Sequence, residues 1–128
     1  MTRPPASEAQ VEAAISDLFL RAGWYPVKTD AALVTRGSRR RVKSGHIPSG
    51  FPDMTYLLGL PGTGLCLAAL IETKTATGQA RDSQVERHAE LRDLYGIAAH
   101  IVRDPREAAA LIAMARRVVG ALKGVTLS

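Results

Sequence analysis

A single cysteine, Cys66, leaves no internal disulfide to form and no Cys/His zinc site to build. It sits in an apolar run, where a plain buried thiol is expected. No apolar stretch approaches the about 20 residues that a membrane-crossing helix needs. The opening MTRPPASEAQ lacks the apolar core of a secretory signal. No internal repeat and no shift in composition marks a second domain. Together these absences exclude a disulfide-stapled scaffold, a membrane-spanning helix and a repeat array. The expectation is one soluble cytoplasmic domain over residues 1–128, long enough to bury about two thirds of its unfolded surface. Its core should run over about residues 7–103, with a C-terminal helix over 105–122.

Acidic residues are missing from one segment, RGSRRRVK, where Arg36, Arg39, Arg40, Arg41 and Lys43 stand together. The net charge is +5, so elsewhere positive and negative charges balance. A concentrated basic run attracts phosphate chains, because each neutralised phosphate releases condensed counterions. The plainer alternative is a solvated loop with no partner.

Ser7 to Ala22 predicts a helix. Ser7 and Gln10 have capping-box spacing, Val11, Ile15, Leu18, Phe19 and Ala22 return at helical period, and Gly23 ends it. Trp24 to Thr35 is β-prone and broken near Asp30, enough for one or two short strands. Thr35 to Gly50, with three glycines, Pro48 and the basic run, reads as a long functional loop. Asp53 to Leu60 and Leu65 to Thr75 predict a hairpin around Pro61-Gly62-Thr63-Gly64. The second strand is almost continuously apolar, which suits a central strand buried on both faces. Ala80 to Tyr95 predicts a helix ended by Gly96, followed by a strand over Ile97 to Arg103. Asp104-Pro105-Arg106-Glu107 opens a last helix with a stripe of Ala108, Leu111, Ala115, Val118 and Leu122. The predicted order is α-β-β-β-α-β-α. The hairpin demands antiparallel pairing and the strand-helix-strand unit a parallel crossover, so a mixed sheet flanked by helices is expected.

The informative residues are Asp53, at the head of one hairpin strand, and Glu72-Thr73-Lys74, near the end of the other. Alternate strand residues share a face, so Glu72 and Lys74 point the same way. Counting outward from the turn puts residue 53 opposite residue 72. Two carboxylates so placed repel, and beside an apolar strand they are poorly solvated. A hard divalent cation relieves both problems, and it can activate water and stabilise charge on a phosphodiester. Lys74 adds a positive charge, suited to electrostatic stabilisation. The bland alternative is a Glu72/Lys74 surface pair on a strand edge.

These residues resemble the PD-(D/E)xK nuclease superfamily, and within it the VRR-NUC family of virus-type replication and repair nucleases. The resemblance rests on Ser7-Glu8 opening the first helix, Gly50-Phe51-Pro52-Asp53, Ile71-Glu72-Thr73-Lys74, Gln84 early in the next helix, and Gly96 before a short strand. It covers about Ser7 to Val102. It implies a restriction-endonuclease-like α/β fold in which Asp53, Glu72 and the main-chain carbonyl of Thr73 bind Mg²⁺ or Mn²⁺. It further implies that a helix-1 glutamate completes the site and that Lys74 assists hydrolysis. Stand-alone members of this size look like phage proteins, and some resemble dimeric enzymes that cleave Holliday junctions. One departure is Thr29-Asp30-Ala31, where family members often carry Asn-Gly.

Glu8 and Glu12 compete for the helix-1 position. On a helical wheel Glu8 lies about 40° from the apolar stripe and Glu12 about 75°, which favours Glu8. Both also suit a helix N-terminus as ordinary first-turn acids. Gln84, His88, Leu91 and Tyr95 form one stripe that should face the sheet. Gln84 there can bond a water or phosphate, or be a satisfied buried amide, and His88 reads as a core or rim histidine. The expected function is metal-dependent hydrolysis of DNA phosphodiesters, with branched or flapped DNA as the substrate implied by the resemblance and a role in DNA repair. The basic loop, Arg36 to Lys43, would hold the backbone, and a homodimer would span a junction. The competing expectations are a DNA-binding module that keeps the fold without catalysis, and an assembly protein with an incidental basic loop.

Overall fold

A computed structural model describes residues 6–30 and 47–123. Its elements run α1 (Glu8–Arg21), β1 (Tyr25–Lys28), β2 (Met54–Leu60), β3 (Leu65–Thr73), α2 (Asp82–Tyr95), β4 (Ala99–Val102) and α3 (Pro105–Leu122). The expected order α-β-β-β-α-β-α is the one observed. The basic run from Arg36 to Lys43 and any strand beyond Asp30 lie outside the described residues. No helix among the described residues is long and apolar enough to cross a membrane.

Local chemistry sets the helix ends. The Ser7 hydroxyl accepts from the Gln10 amide at 3.2 Å, and the Gln10 side chain accepts from the Ser7 amide at 2.8 Å, closing the capping box. The Asp104 carboxylate accepts from the Arg106 amide at 2.8 Å, with Pro105 in the first turn. Gly96 ends α2 in the left-handed conformation.

The four strands lie in the order β1-β2-β3-β4. β1 to β2 and β2 to β3 are antiparallel, and β3 to β4 is parallel, a mixed sheet as expected. Met54 pairs with Ile71 and Leu60 with Leu65, the register that the Pro61–Gly64 turn predicts. One sheet face carries Met54, Tyr56 and Ile71 into a core completed by Val11, Ile15 and Phe19 of α1 and Ala108, Ile112 and Ala115 of α3. Phe19 stacks on Tyr56 with centroids 4.1 Å apart and meets Trp24 edge-on at 5.2 Å. On the opposite face Leu70 is buried outside that cluster, as is Leu91 of α2.

Four expectations about burial are corrected. Cys66 is exposed, not buried. β3 is central but buried on both faces only from Leu70 to Thr73, because its first half extends beyond the cover that α2 provides. The α3 stripe keeps Ala108, Ala115 and a partly buried Leu111 against the core and adds Ile112, but Val118 and Leu122 are exposed. Tyr95 likewise leaves the α2 stripe and is exposed.

Candidate functional site

Strand alternation decides which way the acidic pair faces. Ile71 enters the α1/α3 core, so Glu72 turns to the α2 side, and the register carries Asp53 to the position opposite it. The Thr73 amide donates to the Asp53 Oδ2 at 3.1 Å, tying the two strands together beyond the last ladder pair. The Lys74 amide donates to the Val102 carbonyl at 3.1 Å, which continues the parallel pairing and fixes the Lys74 backbone. Asp53, Glu72, Thr73 and Lys74 thus meet at one end of the sheet. Asp53 is half-buried and the other three are buried.

Three loops hold that end closed. Thr29 donates its amide to the Asp53 carbonyl at 2.9 Å and its hydroxyl to the Pro52 carbonyl at 2.8 Å. Gly50 has φ +79°, and a Cβ placed there would overlap the Ser83 carbonyl in the first turn of α2. Only glycine allows both the left-handed backbone and so close an approach. Arg87 Nε donates to the Ser49 carbonyl at 3.0 Å, a second tie between that loop and α2. On the far side, the Arg103 guanidinium donates from Nη1 to the carbonyls of Thr75, at 2.7 Å, and Gly78, at 2.6 Å. This clamp shapes the segment that leaves Lys74.

Glu72 is fully buried, and neither of its carboxylate oxygens has a hydrogen-bond partner among the described residues. Burial, then the Asp53 carboxyl beside it, push its pKa up from 4.5 to about 9; Lys74 opposes the shift and Asp30 adds to it. The Glu72 carboxyl therefore keeps its proton at neutral pH. His88 reaches in from α2, its Nε2 3.8 Å from Glu72 Oε1 and also buried with no hydrogen-bond partner among the described residues. Burial lowers its pKa, against the pull of Asp53 and with the help of Lys74, so the imidazole is neutral.

Other residues singled out from the sequence sit differently. Glu8 is exposed, as are all of residues 6–10, because the first turn of α1 projects past the sheet. A wheel gives angle but not axial reach, so the expected inward turn of Glu8 does not occur. Glu12 is the half-buried one, its Oε2 3.6 Å from Lys28 Nζ. The acids that raise Glu72 are Asp53 and Asp30, and neither helix-1 glutamate is among them. Gln84 is buried, and its Oε1 accepts from the Arg81 amide at 2.9 Å, capping its own helix. That bond engages the carbonyl oxygen of Gln84, which supports the satisfied-amide alternative. Sequence reasoning missed Asp30 and undervalued His88. The signals were present: Asp30 follows Thr29 at the strand end facing Pro52-Asp53, and His88 stands one turn after Gln84.

Among the described residues, no three His, Cys, Asp or Glu side chains are gathered as a ready-made metal site. What the arrangement offers is a pair of carboxyl groups, the main-chain oxygens of a strand end and the buried Lys74 side chain. Compared with protein-family models, with curated proteins and with solved structures, the chain finds no match in any of the three.

Proposed function

We propose that this chain is a metal-dependent nuclease with a restriction-endonuclease-like fold, hydrolysing DNA phosphodiesters with Mg²⁺ or Mn²⁺ at Asp53, Glu72 and Lys74. The observation that carries the reading is Glu72, a fully buried carboxyl whose two oxygens have no hydrogen-bond partner among the described residues and which lies beside the Asp53 carboxyl. A buried acid without partners is costly, and no group of α2 or of the described loops satisfies those oxygens.

The residues fit a hard divalent cation. Asp53 and Glu72 would hold it together with the Thr73 main-chain carbonyl, and Mg²⁺ commonly keeps waters and takes substrate phosphate in its remaining positions. The cation supplies Lewis-acid charge and a more acidic bound water. Asp53 is oriented for this by the Thr73 amide, and Lys74 brings a positive charge toward the phosphate undergoing attack. Glu8 has no part in this assignment, since its side chain lies in solvent. The Arg36 to Lys43 segment would hold the DNA backbone without reading bases, and branched or flapped DNA remains the proposed substrate. A homodimer would let two such sites face a junction.

The test is incubation of the purified chain with end-labelled linear, flap and four-way DNA, with and without Mn²⁺. Cleavage that requires the metal supports the nuclease. Metal-independent binding of all three without any cleavage would favour a DNA-binding module that keeps the fold.

A further inference from the structure

The Glu72 carboxylate cannot hold a cation in a defined geometry unless something fixes its own orientation, because the strand supplies only its Cα position. Ligating carboxylates are generally held by hydrogen bonds from the next layer of residues. The oxygens of Glu72 have no partner among the described residues. Facing one of them at 3.8 Å is His88 Nε2, likewise buried and likewise without a hydrogen-bond partner among the described residues. That gap exceeds a hydrogen bond by about 1 Å, a distance that a small rotation of either side chain closes.

We propose that His88 is the positioning residue for Glu72: its Nε2–H donates to Oε1 and leaves the other carboxylate oxygen to the cation. This rests on the metal-binding reading above. The place of the imidazole is set by the backbone. Gly50 against Ser83, together with Arg87 on the Ser49 carbonyl, seats the first half of α2 on the loop that leads to Asp53. His88 follows Gln84 by one turn on the same face. A single rigid contact therefore sets Asp53 and the partner of Glu72 together. The role accounts for two orphaned buried atoms at once.

The experiment is calorimetric titration of Mn²⁺ into the full chain, with thermal melts of each variant. Leucine at 88 fills similar space but cannot donate, whereas glutamine carries an amide N–H to about the position of Nε2. His88→Leu should weaken Mn²⁺ binding by about 10- to 100-fold with an unchanged or raised Tm, and His88→Gln should stay within a few-fold of the parent. A role in packing alone would move the Tm and spare the affinity. Glu72→Gln is the control for the site itself and should abolish binding. If Glu72→Gln loses the metal while His88→Leu keeps parental affinity, the positioning role is wrong and the metal site stands. If Glu72→Gln binds like the parent, the metal reading fails, and the role of His88 fails with it. Should His88→Leu not fold, His88→Asn, whose amide ends short of Nε2, replaces it. Asparagine must then bind more weakly than glutamine, and equal affinities would overturn the proposal.

Discussion

Glu72 gives the molecule a pH dependence whose sign is fixed by its burial. Its folded-state pKa, about 9, lies far above the ordinary 4.5. Its contribution to stability is therefore complete below about pH 4.5 and is lost as pH rises toward about 9, because the unfolded chain ionises first. His88 is shifted the other way, so its penalty appears as pH falls below its ordinary 6.5. The metal-free protein should show a Tm that declines from neutral pH toward pH 9, and Glu72→Gln should flatten that decline. If a cation takes the place of the Glu72 proton, as the proposed function requires, Mn²⁺ binding near pH 7 should release about one proton. Calorimetry in buffers of different ionisation heat measures this directly, and heats independent of the buffer would contradict it. At this scale the opposition of Asp53 to Glu72 was legible, since a tight turn and a two-residue period leave no freedom in the count. The place of Glu8 was not, because angle around a helix says nothing of how far the helix overhangs its sheet. Asp30 escaped notice for a different reason: its approach to Glu72 depends on Thr29 being tied to Pro52 and Asp53 across 23 residues of chain.

Among the elements, the contact that matters most is between the loop before β2 and the first turn of α2. Gly50→Ala would put a methyl group into the Ser83 carbonyl and strain a backbone at φ +79°. The expected cost is about 1–3 kcal/mol of stability, with a further loss of Mn²⁺ affinity as α2 lifts from Asp53. Urea denaturation and metal titration of the same variant check both, and a variant with parental metal affinity would separate this contact from the site. The hairpin, the sense of each strand pairing and the helix caps were readable, because each is written within a few residues. The burial of β3 was not. A run such as Leu65 to Ile71 states that a strand is apolar, but only the placement of α2 decides which half is covered. The same holds for α3, where Ile112 joins Leu111 at the core while Val118 and Leu122 stay exposed.

For the molecule as a whole, the proposed function gives the basic segment and the acidic pair separate tasks. If Arg39, Arg40 and Arg41 meet phosphates, replacing all three with Ala should weaken binding to every DNA sequence alike. It should also flatten the slope of log affinity against log salt by about 0.9 for each duplex phosphate that is no longer neutralised. The titration is made in Ca²⁺, to suppress cleavage, and an unchanged slope would leave the segment merely solvated. The central claim, that Asp53, Glu72 and Lys74 form one metal-dependent catalytic unit, is tested most directly by a single comparison. Single-turnover cleavage of a labelled four-way junction in Mn²⁺ is followed for the parent and for Asp53→Ala, Glu72→Ala and Lys74→Ala, each checked by circular dichroism for a folded chain. The parent should cleave only with the metal, and each variant should lose at least about 100-fold, on the order of what removal of one charge-stabilising group costs. A folded variant that cleaves at the parental rate would contradict the claim.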